Sequence, residues 1–420
     1  IRQILMEETA KKIIITLIIV VLIGTILIEY SFNITFFRQL IIITADLGII
    51  SILIYFYVKP KFVVRKRREI FLLIFSLLIF LILMETILRL TDCAWHYEFY
   101  PNEKLKFTYE RSAKLCNYIE EDGEKFYIIS NNEGFIDENF AFDERNYNIF
   151  LVGDSMAACL EADYSNCAHQ KLEKDLVAEY GENINIMNFG VSSYSGLAEL
   201  AVIKNYKDKY KPKMIILYFH LNDIGENRDY LNKVYERKES QKIIRTLTPQ
   251  TLLFFFTNGK NLMDKVLIKS KLYRDLSGLE TQTIQGHAVY SKEYDSEWQD
   301  LLKTELEVLN ETYQIALKEN ITLLHVAVTA KEQVYEELWM QAFETYPSLK
   351  IEDYDPSKPN DIIMSYAEEN GIHNLDLLPL FKENPKRLHW VEGHWNDEGQ
   401  LFAAEKIKEY IMENSLIKDV

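Results

Sequence analysis

Few segments constrain this chain as tightly as Asn148 to Cys159, NIFLVGDSMAAC. The apolar run Ile149 to Val152 has no polar alternation and ends at Gly153, which is the pattern of a fully buried strand in a parallel sheet. Asp154 and Ser155 then open what reads as a helix. Open α/β sheets hold their ligands at the carboxyl ends of such strands, beside helix N-termini that favour a developing anion. Ser155 is therefore the candidate nucleophile, although Gly-Asp-Ser is also an ordinary turn and helix-capping triplet.

The chain beyond this point keeps alternating. A helix is expected around His169 to Tyr180, with Leu172, Leu176 and Val177 on one face and Gly181 as its stop. Further buried runs are Ile184 to Gly190, Met214 to Phe219 and Ile321 to Val328. A fifth strand falls in GIHNLDLL, Gly371 to Leu378. Helices are expected from Gly196 to Tyr206 and from Gln400 to Glu413, the latter with Ala403, Ile407, Tyr410 and Ile411 on one face. Strands alternating with helices imply a parallel sheet with right-handed crossovers. Residues 148–420 thus form an α/β domain, and residues 91–147, rich in Tyr and Phe, form a stem with outer strands. Residues 229–291 contain no core strand and read as a helical insertion over the carboxyl edge of the sheet, carrying the apolar TLLFFF and the basic KVLIKSKLYR.

Residues 1–90 read as a three-helix transmembrane anchor. Apolar runs at Ile13 to Ile28, Leu40 to Val58 and Ile70 to Leu88 come near the roughly 20 residues needed to cross a bilayer. The loop between the second and third carries Lys59, Lys61, Arg65, Lys66, Arg67 and Arg68, whereas the first connection has only Arg38. The positive-inside rule then places the basic loop in the cytoplasm and everything after Leu90 outside. Asp46, inside the second run, is either a hydrated residue near the outer leaflet or a partner for another helix.

Charge and cysteines agree with that topology. Residues 1–92 hold eleven Lys or Arg against seven Asp or Glu, so the rest of a chain of net charge −16 carries −20 and is no partner for nucleic acid. Cys93, Cys116, Cys159 and Cys167 all follow the third run, and an even number outside a membrane allows disulfides in three connectivities. The expected pairing is Cys159 with Cys167 and Cys93 with Cys116. Their spacing is not that of a zinc site.

Four strand-end or loop positions belong together: Ser155, Gly190 in NFGVSSYSG, Asn222 in YFHLNDIGEN and His394 in VEGHWNDEG. In order and spacing they resemble the blocks of the SGNH/GDSL hydrolase family over residues 130–415. The similarity is strongest to the membrane-anchored, extracytoplasmic branch whose last block reads Asp-x-His-Trp-Asn. TAKEQVY and AEENGIHNLDLLPLF look like the same branch. The resemblance implies a flavodoxin-like three-layer α/β fold and a serine hydrolase with no metal or nucleotide cofactor. It implies Ser155 as nucleophile, His394 as base, and an oxyanion hole from the Ser155 N–H, the Gly190 N–H and the Asn222 amide, glycine at 190 leaving room for substrate.

Two positions depart from the pattern. Val391 stands where the acid is usual, so the acid role passes to Glu392; His220 stands where glycine is usual. His220 and Tyr194 are the substrate-binding candidates, and His389 is a poorer base than His394. The expected activity is cleavage of an O-acyl ester on a surface glycan or lipid by an extracytoplasmic, multi-pass membrane protein. Acyl transfer to an exported polysaccharide, which would need a separate membrane transporter for its acyl donor, is the second reading. A non-catalytic scaffold or glycan-binding module is the third. Hydrolysis is favoured over transfer because the acidic outer domain offers no evident basic groove.

Overall fold

The computed structural model describes residues 99–102, 105–109, 111–119, 124–231, 286–346 and 348–417, with scattered positions among the first 83. The chain divides into two compact units, residues 1–94 with 238–282 and residues 95–237 with 283–420. In the first unit the described positions are isolated helical residues such as Ile15 and Leu72, and Lys66 pairs with Glu69 at 2.9 Å. Most of each of the three apolar runs, Asp46 and most of the 229–291 segment lie outside the described residues. Among the described residues no helix is long and apolar enough to cross a membrane.

The second unit begins with two antiparallel hairpins, β1 (Phe99–Asn102) with β2 (Lys106–Tyr109) and β3 (Lys114–Ile119) with β4 (Glu124–Ile129). It continues through β5 (Tyr147–Val152), α1 (Ser155–Ala158), α2 (Ala168–Tyr180), β6 (Ile184–Asn188), α3 (Gly196–Tyr210), β7 (Met214–Phe219) and α4 (Asn222–Leu231). Beyond the undescribed stretch come α5 (Ser296–Glu319), β8 (Thr322–Ala327), α6 (Lys331–Val334), α7 (Glu336–Thr345) and α8 (Lys358–Glu369). The last elements are β9 (His373–Asp376), α9 (Leu377–Glu383) and α10 (Asp397–Glu413).

Five parallel strands form one sheet in the order β6-β5-β7-β8-β9. The strand order reverses between β5 and β7, and such a switch point opens a crevice at the carboxyl ends of the two strands. Every residue of β5 and β7 is buried, as the unbroken apolar runs require of strands covered on both faces. Alternate side chains serve the two faces. Phe150 and Val152 pack with Val202 and Ile203 of α3 and Leu309 of α5, whereas Ile149 and Leu151 pack with Leu172 and Leu176 of α2 and Ile407 of α10. Helices on both faces make the unit three-layered. A truncation such as Phe150→Ala removes a fully buried ring, a change that costs about 3–5 kcal/mol.

The segment expected to be a stem belongs to this core. Leu105, Phe107, Tyr109, Phe126, Ile128, Phe135 and Ile136 are all buried in the same cluster as Phe150 and Val152. Polar contacts fasten it as well: the Tyr109 hydroxyl lies 2.9 Å from Ser192 Oγ and accepts the Ser192 N–H at 2.8 Å.

Candidate active site

Ser155 is the first residue of α1, directly past the end of β5. Asp154 is buried and caps the helix, its Oδ1 accepting the Met156 N–H at 2.9 Å. The Ser155 hydroxyl donates to Asp154 Oδ2 at 3.4 Å. Serine is a weak nucleophile, so its use depends on the groups set around it.

His394 comes from the loop before α10. The loop is a tight turn, with an antiparallel bridge between His389 and Trp395 and Trp390 N–H donating to the His394 carbonyl at 2.8 Å. Gly393 sits at φ +127°, a backbone conformation that side chains with a Cβ rarely adopt. This turn folds Glu392 back on its neighbour: Glu392 Oε2 is 2.6 Å from His394 Nδ1, and Oε1 accepts the His394 N–H at 3.2 Å. With Nδ1 facing the carboxylate, Nε2 is the ring nitrogen left to exchange a proton. No Ser155–His394 hydrogen bond is among the contacts of the described residues, and such bonds tighten in many enzymes only once substrate is bound.

A second carboxylate, absent from the sequence reading, reaches the same ring. Glu161 Oε1 lies 3.7 Å from His394 Nδ1, with the Glu161 side chain 6% exposed against 38% for Glu392. Burial opposes charge on His394, but Glu161 and the hydrogen-bonded Glu392 outweigh it, and the imidazole pKa rises to about 10. Burial raises Glu161 to about 7, against the pull of His394. Glu392 is lowered, its burial overcome chiefly by the His394 hydrogen bond.

The Cys159–Cys167 disulfide brackets Glu161, and the Glu161 carbonyl accepts the Trp390 indole N–H at 2.7 Å. Three more hydrogen bonds join the two halves of the site. Asp163 N–H donates to Asp397 Oδ1 at 2.8 Å, Ala168 N–H to Gln400 Oε1 at 3.0 Å, and Gln400 Nε2 to the Met156 carbonyl at 3.2 Å. The disulfide is the first of the two expected pairings; the other, Cys93 with Cys116, lies outside the described side chains.

Asn222 opens α4 beyond β7, on the far side of the switch point from Ser155. His220 Nδ1 bonds Asn222 Oδ1 and is 3.4 Å from Asp154 Oδ2, so a proton on Nδ1 serves both acceptors. The Asn222 amide also lies close enough to the Glu226 carboxyl to lower its pKa, against the burial that raises it. His220 Nε2 is buried and has no partner among the described residues. Below the loop, buried Asp223 Oδ2 accepts the His220 N–H at 2.8 Å.

Gly190, just past β6, requires two corrections. Its N–H donates to Asn188 Oδ1 at 2.9 Å, so that donor is already engaged. A Cβ at this position would lie 2.4 Å from Ala158 N and 2.5 Å from Ala157 C. The glycine thus admits the backbone of α1, and the requirement is not set by substrate. Asn188 locks the arrangement by also donating to the Ala157 carbonyl at 3.0 Å.

Tyr194 was expected at the substrate and is in the core. It is 0% exposed, and its hydroxyl donates to the Phe107 carbonyl at 2.7 Å. His389 is a neutral brace under the His394 loop: burial lowers its pKa to about 4, and its Nε2 meets Thr329 Oγ1 at 3.1 Å while its Nδ1 meets Tyr335 Oη at 3.2 Å. Among the described residues no group of three His, Cys, Asp or Glu side chains is placed to share a metal ion.

No protein-family model matches this chain, and no curated protein matches it in sequence. Among solved structures it is similar to an acetyl xylan esterase, AlAXEase, at 14% identity and TM-score 0.36, over 64% of this chain and 100% of that one. TesA is similar at 13% identity and TM-score 0.35, over 63% and 98% of the two chains. A catalytic mutant of Axe2, an acetylxylan esterase from Geobacillus stearothermophilus, is similar at 13% identity and TM-score 0.36, over 63% and 94%. Superpositions this loose describe a likeness in outline.

Proposed function

We propose that this chain is a serine esterase of the SGNH/GDSL type that forms an acyl-enzyme on Ser155. One observation carries the reading: Ser155, Gly190 and Asn222 stand past the carboxyl ends of three adjacent parallel strands, and a carboxylate-oriented histidine is tied to the Ser155 side through four hydrogen bonds. In the proposed reaction Ser155 Oγ attacks the ester carbonyl and its proton passes to His394 Nε2. The Asn222 amide and the Ser155 N–H meet the oxyanion. Collapse breaks the bond to the alcohol oxygen, which takes the proton from Nε2, and water repeats the sequence to release the acid.

The finer reading is a membrane-anchored enzyme acting outside the cytoplasm on an O-acyl group of a surface glycan or lipid. The N-terminal apolar runs support the anchor, and a Cys159–Cys167 disulfide suits an oxidising compartment. The scaffold reading has against it a histidine held by two acids beside the serine, because strongly perturbed titratable groups cluster at functional sites. Transfer to an anionic polysaccharide gains support from one feature. The sequence offers no evident basic groove, yet a cleft of about 270 Å³ beside Tyr335 and Phe381 is lined by Lys382, Lys386 and Arg387, with Glu337 on the same wall and Lys386 paired to Glu398 at 2.7 Å.

The test is fluorophosphonate labelling that Ser155→Ala abolishes, followed by turnover of a chromogenic acetyl ester with and without acceptor oligosaccharides. Acetate release supports hydrolysis. Acetylated sugar formed at its expense supports transfer, and an unlabelled wild-type protein overturns both.

A further inference from the structure

Every acid that faces His394 bears on what this histidine does. Glu392 contacts Nδ1 and the backbone N–H from the same turn, Glu161 approaches Nδ1 from the disulfide loop, and Asp154 acts from the end of β5. His389 lies within electrostatic reach from below, and Lys331 on α6 acts on Glu392 while bonding the Val391 carbonyl. The two carboxylates on Nδ1 are not equivalent. Glu392 is a neighbour in sequence and partly exposed, whereas Glu161 is buried and fixed by a covalent bracket and by the Trp390 indole. A charge shielded from water acts more strongly than an equal one at the surface.

Resting on the esterase reading, we infer that Glu161 is a positioning residue for the base, a buried carboxylate that with Glu392 holds the His394 ring and balances its charge. When the Ser155 proton arrives at Nε2, the cation forms between two carboxylates, and it is discharged when the alcohol leaves with that proton. The arrangement stabilises the charged intermediate, and it also favours the protonated ring in the resting enzyme. A histidine must be neutral to act as a base, so the reaction runs fastest above the His394 pKa. Removing the Glu161 charge lowers that pKa and extends activity to lower pH, while the cation formed during the reaction is less well balanced.

The experiment follows fluorophosphonate labelling of Ser155 against pH in the full chain, for wild type, Glu161→Gln, Glu161→Asp and Glu392→Gln. A parallel carbon-13 NMR titration of the histidines in Ser155→Ala reads the His394 ring without any need for reaction. Wild type should show an acid limb well above the usual histidine value of about 6.5. Glu161→Gln should move both the limb and the NMR midpoint down by about 1–3 units, with a lower plateau rate, and Glu161→Asp should largely restore both. An unchanged midpoint in Glu161→Gln overturns the inference. So does a wild-type acid limb in the ordinary histidine range, which requires no variant to fold. If wild type is not labelled at all, the esterase reading fails, and the NMR midpoints still decide the role of Glu161.

Discussion

Two groups of carboxylates flank Asp154, and among the described residues only one of them faces a cation. On one side Glu161 and Glu392 enclose His394. On the other, Glu199 of α3, Asp223 of α4 and Glu305 of α5 are buried together behind Asn222, and Glu226 lies next to them. The second group has hydrogen bonds but no cation of its own among the described residues. Asn227 donates to Glu305 Oε2 at 2.8 Å, and the His220 N–H serves Asp223. Burial, reinforced by mutual repulsion, raises Glu199 and Asp223 well above the carboxylate range, and burial raises Glu305 to about 7. Acids removed from water either keep their charge by sharing a cation or take up a proton. Here the histidine keeps Glu392 below its usual value and opposes the burial of Glu161, whereas Glu199 and Asp223 have no such cation and take up protons.

The largest effect expected is loss of function confined to the His394 side. Ser155→Ala and His394→Ala should each lower ester turnover by at least about 1000-fold, whereas Glu199→Gln should leave it within a few fold. Steady-state kinetics on one acetyl ester settles this, and an equal loss in Glu199→Gln would erase the functional distinction between the groups. Asn222 sits where the two groups meet. Asn222→Ala should reduce kcat about 100- to 1000-fold with KM little changed, and a loss confined to KM would remove the amide from the oxyanion hole.

Stability effects sharpen the same contrast. Opening the Cys159–Cys167 bridge by a double substitution to serine should cost about 2–3 kcal/mol in denaturant unfolding, and should also shift the labelling pH profile because Glu161 rides on that loop. The smallest effect concerns pH alone. A carboxyl whose folded pKa is raised binds its proton more tightly in the folded state, so its contribution is full below the unfolded pKa and is lost as pH rises toward the folded value. His169, His325 and His389, which burial lowers to about 3, 4 and 4, pull the other way, but only below their unfolded value of about 6.5. Between pH 6.5 and 8.5 the acids are joined by His394, whose folded pKa of about 10 likewise makes the folded state bind its proton more tightly, and the melting temperature should fall. Each such group contributes roughly 1.4 kcal/mol per pH unit at most, and Glu199→Gln should flatten the slope. A slope in Glu199→Gln as steep as in wild type would mean that Glu199 is ionised after all.

Much of this arrangement is legible in the residues. The runs ending at Val152, Asn188 and Phe219 are too apolar and too short for anything but covered strands, and a switch in strand order then dictates where Ser155 and Asn222 meet. α5 was not read from the sequence, although Leu301, Val308, Leu309 and Ala316 recur at helical spacing, because Glu305 and Thr312 on the same buried face obscure the stripe. Glu161 was not legible. Nothing in LEADYSN marks it, because its importance comes from a histidine far along the chain. Tyr194 misled for a related reason: a tyrosine amid serines reads as exposed, but its single hydroxyl is satisfied by one carbonyl and the rest of the ring is apolar.

The hydrogen bonds that tie the nucleophile side to the base side span 229 to 244 residues of chain. During synthesis Ser155 therefore leaves the ribosome long before His394, and the enclosed loop must be closed at an entropic cost before these contacts form. The nascent chain has a serine but no base to activate it, so it stays inert until the last helix docks. A protease cut that frees the segment from His389 onward would return the enzyme to that inert state without touching Ser155, which makes the docking of α10 a step at which activity is both acquired and lost.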